Sequence, residues 1–83
     1  TGVQTCALPI YARAAGILES LPESSNVCYL LSILYSRLKD DGKAVSSFMR
    51  SLELDGSKAY RGRLDPEINR LITTYNLNLS QYE

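Results

Sequence analysis

The chain of 83 residues contains nine basic and nine acidic side chains and no histidine. Such a balance gives no general reason to expect nucleic acid or an acidic membrane surface as a partner. No stretch approaches the ~18 consecutive apolar residues of a membrane-spanning helix. The sequence also lacks a glycine-rich phosphate loop and a histidine–cysteine metal motif, so we expect no metal, no cofactor and no enzyme activity.

The first ten residues, TGVQTCALPI, are similar to a common short-read sequencing adapter translated in frame. They contain no charge, a helix-breaking Pro9 and neither hydrophobic period of regular structure. The adapter continues with a T, and both codons for Tyr11 begin with T. We therefore interpret residues 1–10 as a library artefact that is not native, which leaves Cys28 as the one native cysteine and the cellular compartment undetermined.

The next three segments predict helices. Residues 11–22 are rich in Ala and Leu and stop at Pro22, which indicates the end of a helix. N-cap candidates at residues 24–26 precede a second helix with apolar residues at intervals of three and four: Val27, Leu30, Leu31, Leu34, Tyr35 and Leu38. After a polar turn at residues 39–42, the same period predicts a third helix: Ala44, Val45, Phe48, Met49 and Leu52. So short a turn predicts an antiparallel hairpin.

The C-terminal part begins with an irregular basic stretch, in which Lys58, Arg61 and Arg63 surround Tyr60. The sequence Leu-Asp-Pro-Glu at residues 64–67 then combines an N-cap, a proline at the first helical position and an early acid. This pattern predicts a helix over residues 66–75 with one apolar face: Ile68, Leu71, Ile72 and Tyr75. Residues 57–75 are thus a basic loop and a capping helix, and residues 76–83 are expected to form a flexible tail.

The central hairpin contains a spaced motif: Cys28-x-x-Leu31-Ser32-x-x-Tyr35 in one helix and Ala44-x-x-x-Phe48 in the other. This motif resembles the tetratricopeptide repeat, although Cys28 stands where that family usually has Trp. The family's terminal proline falls at Gly56, and Pro22 lies one repeat of about 34 residues earlier. Residues 23–56 therefore resemble one complete repeat, and residues 11–22 resemble the second helix of its predecessor. The resemblance implies an all-α fold of antiparallel helical hairpins, a tetratricopeptide-like α-solenoid ending in the capping helix.

The resemblance also implies a concave groove lined by the first helix of each repeat, here at Asn26, Tyr29, Ile33, Ser36 and Arg37. An exposed Tyr29 and Ile33 beside Arg37 suit an extended or helical peptide whose carboxylate meets the guanidinium. The alternative is that Tyr29 and Ile33 pack against the next helix of the array.

From these features we expect a protein-interaction scaffold that binds another protein, or another domain of the full-length chain. One alternative is a structural cap or oligomerisation element of a larger enzyme or envelope protein, and a weaker one is RNA binding by the basic stretch. The oligomeric state is left open. The carboxylate pair Asp40–Asp41 is better explained by a turn, and the pair Asp65–Glu67 by a helix start, than by catalysis. Cys28 is better explained as a small hydrophobic residue that fills space in the interior.

Truncating Phe48 to alanine is expected to lower the free energy of unfolding by roughly 3–5 kcal/mol, because the motif places this ring in the interior. Urea denaturation followed by far-ultraviolet circular dichroism measures the loss. Phe48→Leu keeps most of the side-chain volume and is the control. A loss for Phe48→Ala no larger than for Phe48→Leu would contradict the predicted burial.

Overall fold

The computed structural model describes the backbone of residues 2–82 and the side chains of residues 9–82. Within this part the helices are α1 (Gly2–Glu19), α2 (Ser25–Arg37), α3 (Asp41–Leu54), α4 (Lys58–Leu64) and α5 (Pro66–Thr74), followed by a 3-10 turn at Ser80–Tyr82. The described residues contain no strand, so the predicted all-α class is confirmed. None of the described helices has the length and apolar character that crossing a membrane requires.

The turn between α2 and α3 is closed by backbone and side-chain hydrogen bonds. Lys39 has a φ of 66°, in the left-handed region, and the Asp40 N–H donates to the Tyr35 carbonyl oxygen at 2.9 Å. A bond of this type ends a helix. The Asp40 Oδ1 then accepts a hydrogen bond from the Lys43 N–H at 3.2 Å, which caps α3.

Contacts at both ends of the hairpin show that α2 and α3 are antiparallel. At the start of α2, the Ser25 hydroxyl donates to the Ser51 carbonyl oxygen near the end of α3, at 2.9 Å. At the other end, the Lys43 Nζ lies 5.4 Å from the centroid of the Tyr35 ring. The hairpin is therefore arranged as the short turn predicts.

Phe48 lies at the centre of the core and is completely buried. The edge of the Tyr29 ring meets it with 6.1 Å between ring centroids. The buried hydroxyls of Ser32 and Ser51 donate to the carbonyl oxygens of Tyr29 and Phe48, so their burial leaves no polar atom unpaired. The structure buries the six motif positions together: Cys28, Leu31, Ser32, Tyr35, Ala44 and Phe48.

Helix α1 differs from the sequence prediction at its start. The helical backbone begins at Gly2 and continues through Pro9, where a break was expected. A proline inside a helix removes one N–H donor, but the neighbouring alanine and leucine residues favour helix on both sides of it. The helix ends at Glu19, shortly before Pro22, close to the predicted end.

Residues 58–64 form α4, which corrects the predicted irregular loop. The Asp55 Oδ1 accepts hydrogen bonds from the Ser57 N–H at 3.1 Å and the Ser57 hydroxyl at 2.8 Å, and this local turn starts the helix. The small residues Ala59 and Gly62, one turn apart, form its buried side. Because the sequence signal was two small residues rather than large apolar ones, the hydrophobic period did not reveal this helix.

A proline separates α4 from α5. The preceding residue, Asp65, has φ −89° and ψ 117°, since proline disfavours the helical conformation before it. The Asp65 Oδ1 accepts a hydrogen bond from the Glu67 N–H at 3.0 Å and caps α5. The predicted start of this helix at Pro66 therefore agrees with the structure.

Residues 76–82 pack on the rest of the molecule, which corrects the prediction of a flexible tail for them. Asn76 has a φ of 52°, and the Leu77 N–H donates to the Ile72 carbonyl oxygen at 3.0 Å, so the chain turns back after α5. Leu79 is then only 1% exposed. Two leucines spaced by one residue are too short a pattern to predict such burial.

Helix α4 approaches Phe48 closely at Gly62. A Cβ atom at this position would lie 2.7 Å from the Phe48 Cζ and 3.0 Å from the Ile68 Cγ2. Side-chain carbon atoms do not approach so closely without a shift of one partner. Glycine at position 62 therefore allows α4, α5 and the Phe48 ring to meet.

Gly62→Ala is expected to destabilise the chain by about 1–3 kcal/mol through overpacking, although alanine is the better helix former. Gly16→Ala is the matched control, since nothing lies within 4 Å of a Cβ at that helical position. It should stabilise the chain by up to about 1 kcal/mol. If urea denaturation shows Gly62→Ala to be as stable as the original chain, α4 does not pack on Phe48 in this way.

Candidate interaction groove

Helix α2 lies between α1 and α5. At its C-terminal end, the Arg37 guanidinium is 5.4 Å from the centroid of the Tyr11 ring on α1, and its Nη2 is 2.8 Å from the Glu67 Oε1 on α5. Helix α3 packs against α2 through Phe48 and Tyr29. One side of α2 therefore faces away from α3, with α1 and α5 on either side of it.

The residues of α2 on that side are Asn26, Leu30, Ile33 and Arg37, and the surface that they form beside α1 and α5 is named the α2 groove here. At about 100° per residue, these four positions fall within a sector of about 60° around the helix axis and extend over about 16 Å. Leu30 is 48% exposed, and Ile33 is half-buried. The groove is thus apolar in the middle and polar at both ends.

Tyr29 and Ser36, predicted to line the groove, are instead buried towards α4 and α5. Tyr29 is 3% exposed, its hydroxyl lies 3.3 Å from the Asp65 Oδ2, and the Arg61 guanidinium is 5.5 Å from its ring centroid. The Ser36 Oγ accepts a hydrogen bond from the Arg70 Nη2 at 3.0 Å. Tyr29 therefore packs against neighbouring helices, which was the alternative to lining the groove. It does so because α4 and α5 lie close enough to cover this side of α2.

Leu30 lies in the groove, although it was not among the residues predicted to line it. Its spacing from Leu31 and Leu34 placed it within the apolar pattern of α2. Its spacing of four from Asn26 and three from Ile33 places it equally well on the opposite stripe. The neighbouring helices decide whether Leu30 belongs to the covered or to the accessible side of α2. They do not cover Leu30, which is therefore exposed.

Polar contacts attach α5 to the hairpin beside the groove. The Arg70 Nη2 lies 3.1 Å from the Asp41 Oδ1, and the Tyr75 hydroxyl donates to the Asp41 Oδ2 at 2.7 Å. These hydrogen bonds, with that from Arg70 the strongest, lower the pKa of Asp41 below its ordinary value. The ring of Tyr75 stays at the surface, which corrects its prediction as part of the apolar face of α5.

A polar depression of about 400 Å³ adjoins the Arg37 end of the groove. Three cationic residues line it together with two acidic ones and a serine: Arg37, Lys39, Arg70, Asp41, Glu67 and Ser36. The excess of one positive charge makes this end of the groove favourable for an anionic group.

The predicted basic stretch does not form one continuous cationic surface. Lys58 pairs with the Asp55 carboxylate at 3.5 Å, and Arg61 lies against Tyr29. Arg63 is about 200° around the helix from Arg61. The side chain of Tyr60 is exposed between them.

The remaining candidates for chemistry have structural partners. Asp40 and Asp65 cap helices, while Asp41 and Glu67 bind arginines. Cys28 is buried, and burial followed by the charge of Glu23 raises its pKa, which disfavours the reactive thiolate. Among the described side chains, no three cysteine, aspartate or glutamate residues converge to hold a metal ion.

Comparisons with protein-family models, with curated proteins and with solved structures found no match to this chain. The tetratricopeptide resemblance therefore stays a prediction from residue spacing. The geometry of the groove is the basis for a functional proposal.

Replacing Tyr29 with phenylalanine is expected to change the response to alkaline pH. Burial, followed by the charge of Asp65, raises the pKa of Tyr29 to about 12. Since the pKa is higher in the folded state, the contribution to stability is complete below about pH 10 and is lost as the pH rises towards about 12. Tyr29→Phe should remove that loss and cost about 1 kcal/mol at neutral pH for the missing hydrogen bond.

Urea denaturation at a series of alkaline pH values tests this expectation. Tyr60→Phe is the control for the loss of a tyrosine hydroxyl, because that ring is 72% exposed. Equal alkaline slopes for Tyr29→Phe and the original chain would rule out the proposed environment of the Tyr29 hydroxyl.

Proposed function

We propose that this chain is a protein-interaction module, a tetratricopeptide-like helical scaffold that binds a peptide segment of another protein in the α2 groove and performs no chemistry itself. The main support is Leu30, a large apolar side chain that is 48% exposed on the side of α2 that faces away from α3. Ile33 extends this apolar surface by one turn. Apolar surface flanked by polar residues is typical of sites that bind other proteins.

The charges around the groove favour an acidic partner segment. Arg37 uses its Nε and Nη2 to bind Glu67, and a guanidinium has five N–H donors in all. Hydrogen bonding to Glu67 also raises the pKa of Arg37, so the guanidinium stays charged. The partner would therefore place an apolar side chain on Leu30 and Ile33 and a carboxylate near Arg37.

A second candidate function is that of a structural cap or oligomerisation element. The observation that favours it is the exposure of two apolar residues, Ile17 on α1 and Leu21 just after the end of that helix. RNA binding has less support, because the basic residues of α4 face different directions and two of them already have partners.

Panning a library of random peptides against the immobilised chain tests the groove. Selected peptides should combine an apolar residue with a nearby acid. Their affinity, measured by fluorescence polarisation with the soluble chain, should fall at least about tenfold in Leu30→Asp, which amounts to about 1.4 kcal/mol. The exposure of Leu30 means that this substitution should leave the fold intact, which circular dichroism checks.

Leu64→Asp is the matched control, since Leu64 is an equally large, exposed leucine on α4. It should bind the selected peptides as the original chain does. Peptides that bind Leu30→Asp and the original chain equally would show that the α2 groove is not the binding site. A chain that selects no peptide from the library would contradict the interaction function itself.

A further inference from the structure

Arg50 on α3 binds two carboxylates at the same time. Its Nε and Nη2 donate to the two carboxylate oxygens of Glu23, at 3.0 and 2.8 Å, and its Nη1 donates to the Glu53 Oε1 at 2.9 Å. A guanidinium has five N–H donors on three nitrogens, so two of its edges can each hold a carboxylate. All three side chains are about half-exposed, so this arrangement forms at the surface of the chain.

Arg37 on α2 has one half of the same arrangement. Its Nε and Nη2 lie 2.9 and 2.8 Å from the Glu67 Oε1, and these are the two nitrogens that Arg50 uses for Glu23. Among the described residues, no carboxylate meets the Nη1 of Arg37, which is the nitrogen that holds Glu53 in Arg50. The Arg37 side chain is 44% exposed, so a partner can reach its guanidinium.

The surrounding charges favour a second carboxylate at Arg37 more than at Arg50. Arg50 and its two glutamates have a net charge of minus one. The depression beside Arg37 contains three cationic and two acidic side chains, so its net charge is plus one. One more carboxylate would make the depression neutral, whereas a phosphate with two negative charges would make it negative.

We propose that the α2 groove binds the carboxylate of an aspartate or glutamate side chain of its partner at the Nη1 of Arg37, while Glu67 stays bound to the Nε and Nη2. This inference rests on the proposed function of the groove and names the atom that recognises the acidic residue. The partner carboxylate completes at Arg37 the arrangement that Glu53 completes at Arg50. Lysine could not replace Arg37, because its single ammonium has no second planar edge.

The first test uses acetate as the probe and does not depend on any peptide. Nuclear magnetic resonance of the isotope-labelled chain follows the side-chain nitrogen signals of Arg37 and Arg50 while acetate replaces chloride at constant ionic strength. The temperature is kept low enough to resolve Nη1 from Nη2. The Nη1 signal of Arg37 should shift and its Nε signal should stay in place.

Arg50 is the internal control in this titration, because Glu53 already occupies its Nη1. An equal response of the two arginines, or no response of either, would overturn the proposal. A shift of the Arg37 Nε signal in parallel with its Nη1 signal would also overturn it, since acetate would then be displacing Glu67.

Glu53→Gln provides a matched second measurement, because it removes the carboxylate from the Nη1 of Arg50. The Glu53 side chain is 58% exposed, so the variant should keep the fold, which circular dichroism checks. Arg50 should now respond to acetate through its Nη1, and Arg37 should respond as before. If Arg50 still gave no response, an open Nη1 would not be what binds a carboxylate, and the proposal would be wrong.

Peptides selected by panning provide a third measurement. Replacing their acidic residue by the corresponding amide should weaken binding to the original chain by about twofold to fivefold, as is usual for an exposed ion pair. With Arg37→Lys this difference should disappear, and an undiminished difference would contradict recognition by the guanidinium. A library that yields no peptide contradicts the groove, whereas the acetate shifts still decide the role of Nη1, so the two proposals can fail separately.

Discussion

The packing of Phe48 against Tyr29, Gly62 and Ile68 is the interaction on which the rest of this structure depends. These residues come from four different helices, and they meet around the fully buried ring of Phe48, where glycine leaves the space that a side chain would fill. Glycine on α4 brings the backbone of that helix up to the ring, and the proline after α4 then directs the chain into α5. The shape of one aromatic side chain therefore contributes to the positions of α4 and α5, together with the polar contacts of Asp41 with Arg70 and Tyr75.

The same packing determines which part of α2 is accessible. With α4 and α5 in place, Tyr29 and Ser36 are covered, and Arg37 forms an ion pair with Glu67. The accessible stripe lies next to them, with Leu30 at its centre.

The α2 groove, on which the proposed function rests, is apolar at Leu30 and Ile33. Its Arg37 end adjoins a depression with an excess of one positive charge. Apolar surface beside a cationic end is the combination that the proposed acidic partner segment would match.

Local pattern in the sequence determined the helical class, the α2–α3 hairpin and the start of α5. These features depend on caps, turns and apolar periods that act within a few residues of each other, so neighbouring side chains suffice to specify them. The motif from Cys28 to Phe48 likewise identified residues that the structure buries.

Only the tertiary structure decided the position of α4, the burial of Leu79 and the accessible side of α2. Ala59 and Gly62 give little hydrophobic signal because they are small, and Gly62 leaves room for Phe48. Leu79 belongs to the common core that all five helices share. Leu30 and Tyr29 are neighbouring positions of one helix, and the sequence left open whether Tyr29 lines the groove or packs against another helix. Exposure of a side chain depends on which helices arrive beside it, and that arrangement arises from packing between segments far apart in the chain.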